Sequence, residues 1–243
     1  LIRANKEWKV EVPKEYQSWL KAEALSETEL KVTTTTTNNL MVNRVGHIIM
    51  KTKEVIDGFD GITFDISQGT AFWKEGGADN YVVDEETGYM TLYGSGIVTN
   101  YLFKKGRLAF DFESINLTGE DWIEFNMWPN SGNTNFHLHF YANKESNFTC
   151  GGSGLNWTQK TFTWTSEQTN VVKKIEFLVV NKEEGSNALV LKLIIDGVEV
   201  AVLDNNITDP YATEPGAPVY FRMHTTNKAS NFTVKSITWE PVE

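Results

Sequence analysis

Three short stretches of this 243-residue chain hold most of the side chains that could do chemistry. The first is Trp122-Ile123-Glu124-Phe125-Asn126-Met127-Trp128, the second Asn135-Phe136-His137-Leu138-His139-Phe140-Tyr141, and the third Val219-Tyr220-Phe221-Arg222-Met223-His224. Between them they carry three of the chain's four histidines. Indole and phenol rings stack on the apolar C–H faces of ring-shaped ligands, while carboxylate, amide, imidazole and guanidinium groups pair with hydroxyls. Imidazole also transfers protons near neutral pH and ligates transition metals.

The elements that must position these groups are strands. Successive strand side chains point to opposite faces, and each stretch alternates with that period. One face carries Ile123, Phe125 and Met127, then Phe136, Leu138 and Phe140, then Val219, Phe221 and Met223. The other carries Trp122, Glu124, Asn126, Trp128, His137, His139, Tyr141, Tyr220, Arg222 and His224. If the three strands share a sheet, those ten residues line one surface and form a candidate ligand-binding site. An ordinary solvated sheet face is built from Thr, Lys, Ser and Glu, so two tryptophans and two tyrosines depart from it. They would be ordinary again if residues 68–90 covered them as a loop.

The same period recurs along the chain at 61–66, 108–113 and 231–239. Residues 174–180 and 189–195 are more continuously apolar, as strands buried on both sides are. Asp196-Gly197, between Leu189–Ile195 and Val198–Val202, predicts a two-residue hairpin with a type I′ turn. Many short strands separated by Gly, Asn and Asp predict an all-β, two-sheet antiparallel sandwich (jelly roll) over residues 46–243. Residues 1–45 read as a short helical or extended preamble, packed on or linked to that domain. Pro13 and Glu15 open a predicted short helix over 13–25, and Thr33–Thr37 reads as an edge strand or extended arm.

A formal net charge of −10 opposes phosphate backbones and anionic lipid, which excludes nucleic acid and membrane surfaces as expected partners. No apolar run reaches the roughly 20 residues of a membrane span. The single cysteine, Cys150, rules out an intramolecular disulfide and has no histidine near it in sequence. The chain opens at Leu1, so a mature product or an excised piece of a larger protein is expected. His137 and His139 with His224 could hold zinc or a related ion, although no metal site is assigned. Loop carboxylates at Asp57, Asp60, Asp204 and Asp209 leave structural calcium open as a cofactor, without an EF-hand-like run.

The hairpin from Val190 to Val200 and the closing stretches Val219–His224 and Phe232–Trp239 resemble the concanavalin A-like lectin/glucanase superfamily, over residues 46–243. That resemblance implies a jelly-roll sandwich with a ligand-facing concave sheet, used by carbohydrate-binding modules, lectins, adhesive domains, glycoside hydrolases and polysaccharide lyases. Fold alone does not choose among them. The related glucanases carry Glu-x-Asp-x-x-Glu or Glu-x-Asp-x-Glu on one strand. Here Glu120-Asp121-Trp122-Ile123-Glu124 puts tryptophan in the central slot and Asp121 on the opposite face from Glu124. The expectation is therefore a polysaccharide- or oligosaccharide-binding module, monomeric, within a larger secreted or cell-surface bacterial protein. The first alternative is a glycoside hydrolase or polysaccharide lyase using the same face, with Glu124, His137 and Arg222 as candidate catalytic groups. The second is an adhesin or receptor-binding domain.

Overall fold

The computed structural model describes residues 6–75, 80–94, 96–103, 105–127, 135–152, 155–186, 188–208, 217–224 and 229–242. They divide into two units, one comprising residues through Asn38 with Val42–Thr70, the other Asn39–Met41 with Ala71 onward.

The first unit holds β1 (Trp8–Glu11), β2 (Leu20–Ala24), β3 (Leu30–Thr34), β4 (Arg44–Thr52) and β5 (Ile62–Gln68). They form a sheet of order β1-β4-β5 and a separate β2-β3 pair. A small core of Trp19, Leu20 and Ile48 is flanked by Val10, Tyr16, Ala22 and Ile66. The Arg44 guanidinium lies 4.4 Å from the Trp19 ring centroid and donates to Thr36 O at 2.6 Å. At Gly46 a Cβ would come within 2.7 Å of the Trp19 ring, so the missing side chain lets the indole lie against the backbone. The helix expected over 13–25 is only a 3-10 turn at Lys14–Tyr16. Beyond it the helix-forming sequence Leu-Lys-Ala-Glu-Ala is the strand β2, because pairing with β3 and burial of Leu20 outweigh propensity. The expected division between residues 45 and 46 falls inside β4, which pairs with β1 on one side and β5 on the other.

The second unit is a two-sheet antiparallel sandwich. Its strands are β6 (Phe72–Glu75), β7 (Tyr81–Val83), β8 (Met90–Leu92), β9 (Gly96–Phe103), β10 (Gly106–Asn116), β11 (Trp122–Met127) and β12 (Asn135–Tyr141). They continue with β13 (Glu145–Gly152), β14 (Leu155–Thr163), β15 (Lys174–Asn181), β16 (Ala188–Ile195), β17 (Val198–Thr208), β18 (Ala217–His224) and β19 (Asn231–Pro241). A single-turn helix α1 (Ser166–Asn170) joins β14 to β15, closed by a capping box between Thr165 and Gln168. One sheet has the order β17-β16-β15-β10-β19-β8-β7 and the other β14-β13-β12-β11-β18-β9-β6. Residues 68–90, read as a loop, contribute β6 and β7 and lead into β8.

Alternation built this sandwich. Phe110 and Phe177 from one sheet meet Phe125 from the other, with centroid separations of 5.0 and 5.2 Å, and Phe148 lies 6.1 Å from Phe177. Burying such rings contributes roughly 1.5–3 kcal/mol each before entropy is counted. The expected hairpin is present, with Asp196 at φ 48° and Gly197 at φ 80°, both positive as a type I′ turn requires. Asp196 also accepts from the backbone N–H groups of Lys173 and Lys174 at 2.9 and 2.8 Å, which ties the turn to the start of β15. Of the two strands expected to be buried on both sides, β15 and β16 bury their inner faces fully, while Leu178, Val180 and Ile194 on the outer faces are half-buried.

Candidate functional site

The three strands singled out by their alternation are neighbours, in the order β12-β11-β18. Their registers align the polar residues in rows. Across β11 and β12, Trp122 pairs with Tyr141, Glu124 with His139 and Asn126 with His137. Across β11 and β18, Trp122 pairs with His224, Glu124 with Arg222 and Asn126 with Tyr220. Nine of the ten expected site residues thus occupy facing register positions on three adjacent strands. The tenth, Trp128, lies outside the described residues.

Glu124 is the hub. Its side chain is only 8% exposed. Its Oε1 lies 3.2 Å from His137 Nε2 and 3.9 Å from His139 Nε2, and it accepts from the Asn126 side-chain amide. The two imidazoles, at i and i+2 on β12, have centroids 4.0 Å apart. Asn126 is buried, whereas both histidines keep close to 30% of their side-chain surface open. Trp122 and Tyr141 stack beside this group at 5.0 Å and 35°, both partly exposed. His139 contacts both rings edge-on, at 6.0 and 5.8 Å. The Lys144 ammonium lies 5.2 Å from the Tyr141 ring centroid, within cation–π range.

The loops that hold these strands are closely tied. Asp121, just before Trp122, is buried, and its carboxylate accepts from Ser230 Oγ at 2.5 Å. Ser230 Oγ also accepts from Thr118 N–H at 3.0 Å, and the Asp121 carbonyl accepts from Ala142 N–H at 3.2 Å. At the far end of β12, the backbone N–H of Tyr141 donates to the buried Ser146 Oγ at 2.9 Å. Asn143 turns the chain there with φ 58°, a conformation asparagine tolerates, and its Oδ1 accepts from Ser166 N–H at 2.8 Å. Asp121 is thus a structural residue. Glu120 is an exposed partner of Lys144 at 3.4 Å, and among the described residues neither carboxylate falls in the Glu124–His137–His139 cluster.

The face extends beyond what the sequence reading found. On β13, Asn147 pairs in register with His139 and Thr149 with His137, while Phe148 between them enters the core. Asn147 Oδ1 accepts from Gln159 on β14 at 2.6 Å. The signal was present in Glu145–Thr149, where a buried phenylalanine alternates with polar neighbours. Among the described residues, only Glu124, His137 and His139 bring three potential ligand atoms to within 4.8 Å of one another. Of the carboxylates considered for calcium, Asp204 pairs with Lys182 at 2.8 Å, and Asp209 lies outside the described residues.

The fold and the face together define a two-sheet antiparallel sandwich that carries an acid–imidazole–aromatic surface on two adjacent central strands of one sheet, β11 and β12. In solved structures, the chain is similar to a prokaryotic β-1,3-1,4-glucanase (lichenase) derived from a mouse hindgut metagenome, with 11% identity over 70% of this chain and 93% of that one, TM-score 0.47. It is similar to a legume lectin-like domain from Entamoeba histolytica, with 11% identity over 71% and 91%, TM-score 0.47. It is also similar to a Bacillus licheniformis β-glucanase, with 10% identity over 70% and 92%, TM-score 0.46. These likenesses concern the fold, which the pairing of the strands defines without them. No family model matches the sequence, and no curated protein does.

Proposed function

We propose that this chain binds a polysaccharide or oligosaccharide on the outer face of β12-β11-β18. The observation that carries the reading is the Trp122–Tyr141 ring pair lying directly beside the Glu124, Asn126, His137 and His139 polar group on one surface. A pyranose presents an apolar C–H face and a rim of hydroxyls. The ring pair suits the first and the polar group the second. Arg222 and Tyr220, in register with Glu124 and Asn126, add further hydroxyl-pairing types to the same rows. In this reading the chain is an extracellular, secreted or cell-surface module, monomeric, within a larger bacterial protein. Its acidic balance suits a neutral glycan better than a polyanionic one.

The test is a glycan array followed by calorimetry with the best ligand. Trp122→Ala is expected to weaken binding by about 1–3 kcal/mol, as for a stacked hot-spot aromatic. Unchanged affinity for a glycan that the wild-type chain binds would sink the assignment. Release of reducing ends or unsaturated products, abolished by Glu124→Gln or His137→Ala, would turn the same face into a hydrolase or lyase site. Array silence together with protein-dependent cell adhesion would replace it with the adhesin reading.

A further inference from the structure

We propose that Glu124, His137 and His139 form a binding site for a divalent transition-metal ion of the zinc class, held by one carboxylate oxygen and two imidazole Nε2 atoms with at least one coordination position left open.

The geometry follows from strand physics. His137 and His139 stand two apart on β12, so both rings project to one side, and register sets Glu124 opposite His139 on β11. The potential ligand atoms lie 3.2 and 3.9 Å from Glu124 Oε1, and all three fall within 4.8 Å of one another. An ion with tetrahedral bonds of about 2.0–2.1 Å separates neighbouring donors by roughly 3.3 Å, so seating it needs only small side-chain adjustments. The donor set decides the class. Two imidazoles and a carboxylate suit zinc, iron, nickel or copper, whereas calcium and magnesium want oxygen throughout. Three protein ligands are the number found where an ion keeps a place for water or a ligand atom, while closed structural zinc sites use four.

Two surrounding features fit the assignment. Glu124 is more than nine-tenths buried, which holds its carboxylate in a fixed place beside the two imidazoles, as a ligand needs. Asn126, also buried, donates its side-chain amide to the same Glu124 oxygen, which is how ligating carboxylates are commonly oriented by an outer partner. The sequence pattern pointed to His224 as the third ligand. Register pairs His224 with Trp122, in the row next to Glu124, and among the described side chains it is Glu124 that meets the two imidazoles. The competing explanation is a plain ion pair between Glu124 and a protonated histidine, which would take up no metal.

The site shares Glu124, His137 and His139 with the proposed glycan face but does not depend on glycan binding, and the experiment separates the two. The full chain is stripped with chelator, then titrated with Zn2+ by calorimetry and with Co2+ by visible absorption. The expected result is saturable uptake of one ion per chain, with cobalt d–d bands of nitrogen–oxygen coordination. Asn126→Ala should weaken binding by about 10- to 100-fold, as loss of an outer partner does, and Glu124→Gln, His137→Ala and His139→Ala should each cost more. His47→Ala, in the first unit, should change nothing. Circular dichroism checks that each variant is folded, and if one is not, the wild-type cobalt titration decides alone. Absence of saturable uptake by the wild-type chain, or uptake indifferent to both His137→Ala and His139→Ala, overturns the proposal. Zinc uptake without glycan binding upholds this site and removes the glycan reading. Chelator-insensitive glycan binding without zinc uptake does the reverse.

Discussion

The outer faces of the two seven-stranded sheets solve one problem in two ways. Each carries a glutamate buried on a surface that alternation would leave to solvent: Glu176 on β15, 3% exposed, and Glu124 on β11, 6% exposed. Glu176 accepts from Arg107 at 2.7 Å and lies 3.4 Å from the Lys174 ammonium. Nearby, Lys192 pairs with Glu199 and Lys182 with Asp204, both under 3 Å. The described side chains around Glu124 are instead two imidazoles, an amide and an aromatic pair. The Glu176 carboxylate is held by permanent cations, whereas the partners of Glu124 include imidazoles and an amide, which can exchange a carboxylate for a ligand, with Arg222 at the register position on β18. Burial alone therefore does not mark a candidate site. The character of its partners does.

Breaking the first arrangement should cost stability most. Glu176→Gln removes a buried charge-assisted hydrogen bond and is expected to destabilise the chain by about 1.5–3 kcal/mol in denaturant unfolding. Arg107 and Lys174 are partly exposed and can turn to water, which keeps the loss below that of an ion pair buried on both sides. Glu124→Gln should cost less, under about 1 kcal/mol, since Asn126 and the half-open histidines can re-pair with an amide. It should nevertheless abolish ligand or metal uptake. Equal losses from the two substitutions would erase the contrast between the faces.

The smallest effect belongs to a carboxylate on neither face. Asp84, in the turn between β7 and β8, is held below the ordinary aspartate range, first by the Thr87 backbone N–H and then by the Thr87 hydroxyl, with the Glu86 N–H adding to both. Because the folded value lies below the unfolded one, this stabilisation is complete above the ordinary aspartate range and is lost as pH falls through the depressed value. The difference in unfolding midpoint between wild type and Asp84→Ala should be present at neutral pH and shrink in acid. A difference constant across that window would assign the effect to turn geometry rather than charge.

Much of the candidate face could be read in the sequence, because a large apolar residue at every second position leaves little freedom about which side of a strand a group takes. The ends of β12 at Asn135 and Tyr141 match their expected places, and the Asp196-Gly197 turn has the dihedral signs its residues imply. What alternation could not supply was the partner. Glu124 meets His139 and faces Arg222 through registers that join residues 15 and 98 positions apart, and nothing local encodes that distance. The first unit was misread for a different reason. Leu20–Ala24 favours a helix on propensity, yet the neighbouring buried tryptophan and a threonine-rich partner strand make it β-structure. Residues 46–70 carry sandwich-like alternation but pair among themselves and with β1.

The positions of β18 and β19 have a consequence for how the molecule is made. The last strand pair in the chain does not finish the sheets at their rims. It fills a central slot in each, β18 between β11 and β9, and β19 between β10 and β8. A chain emerging from the ribosome up to residue 216 therefore has each sheet split in two, with β11, β9, β10 and β8 each lacking a partner strand and only the β12 row beside Glu124. Closure must wait for contacts of long sequence separation, the kind that slow folding and leave edges open to wrong partners. Removing the residues after 216 should prevent folding of the sandwich altogether, and chaperone dependence should concentrate in the interval before those strands arrive.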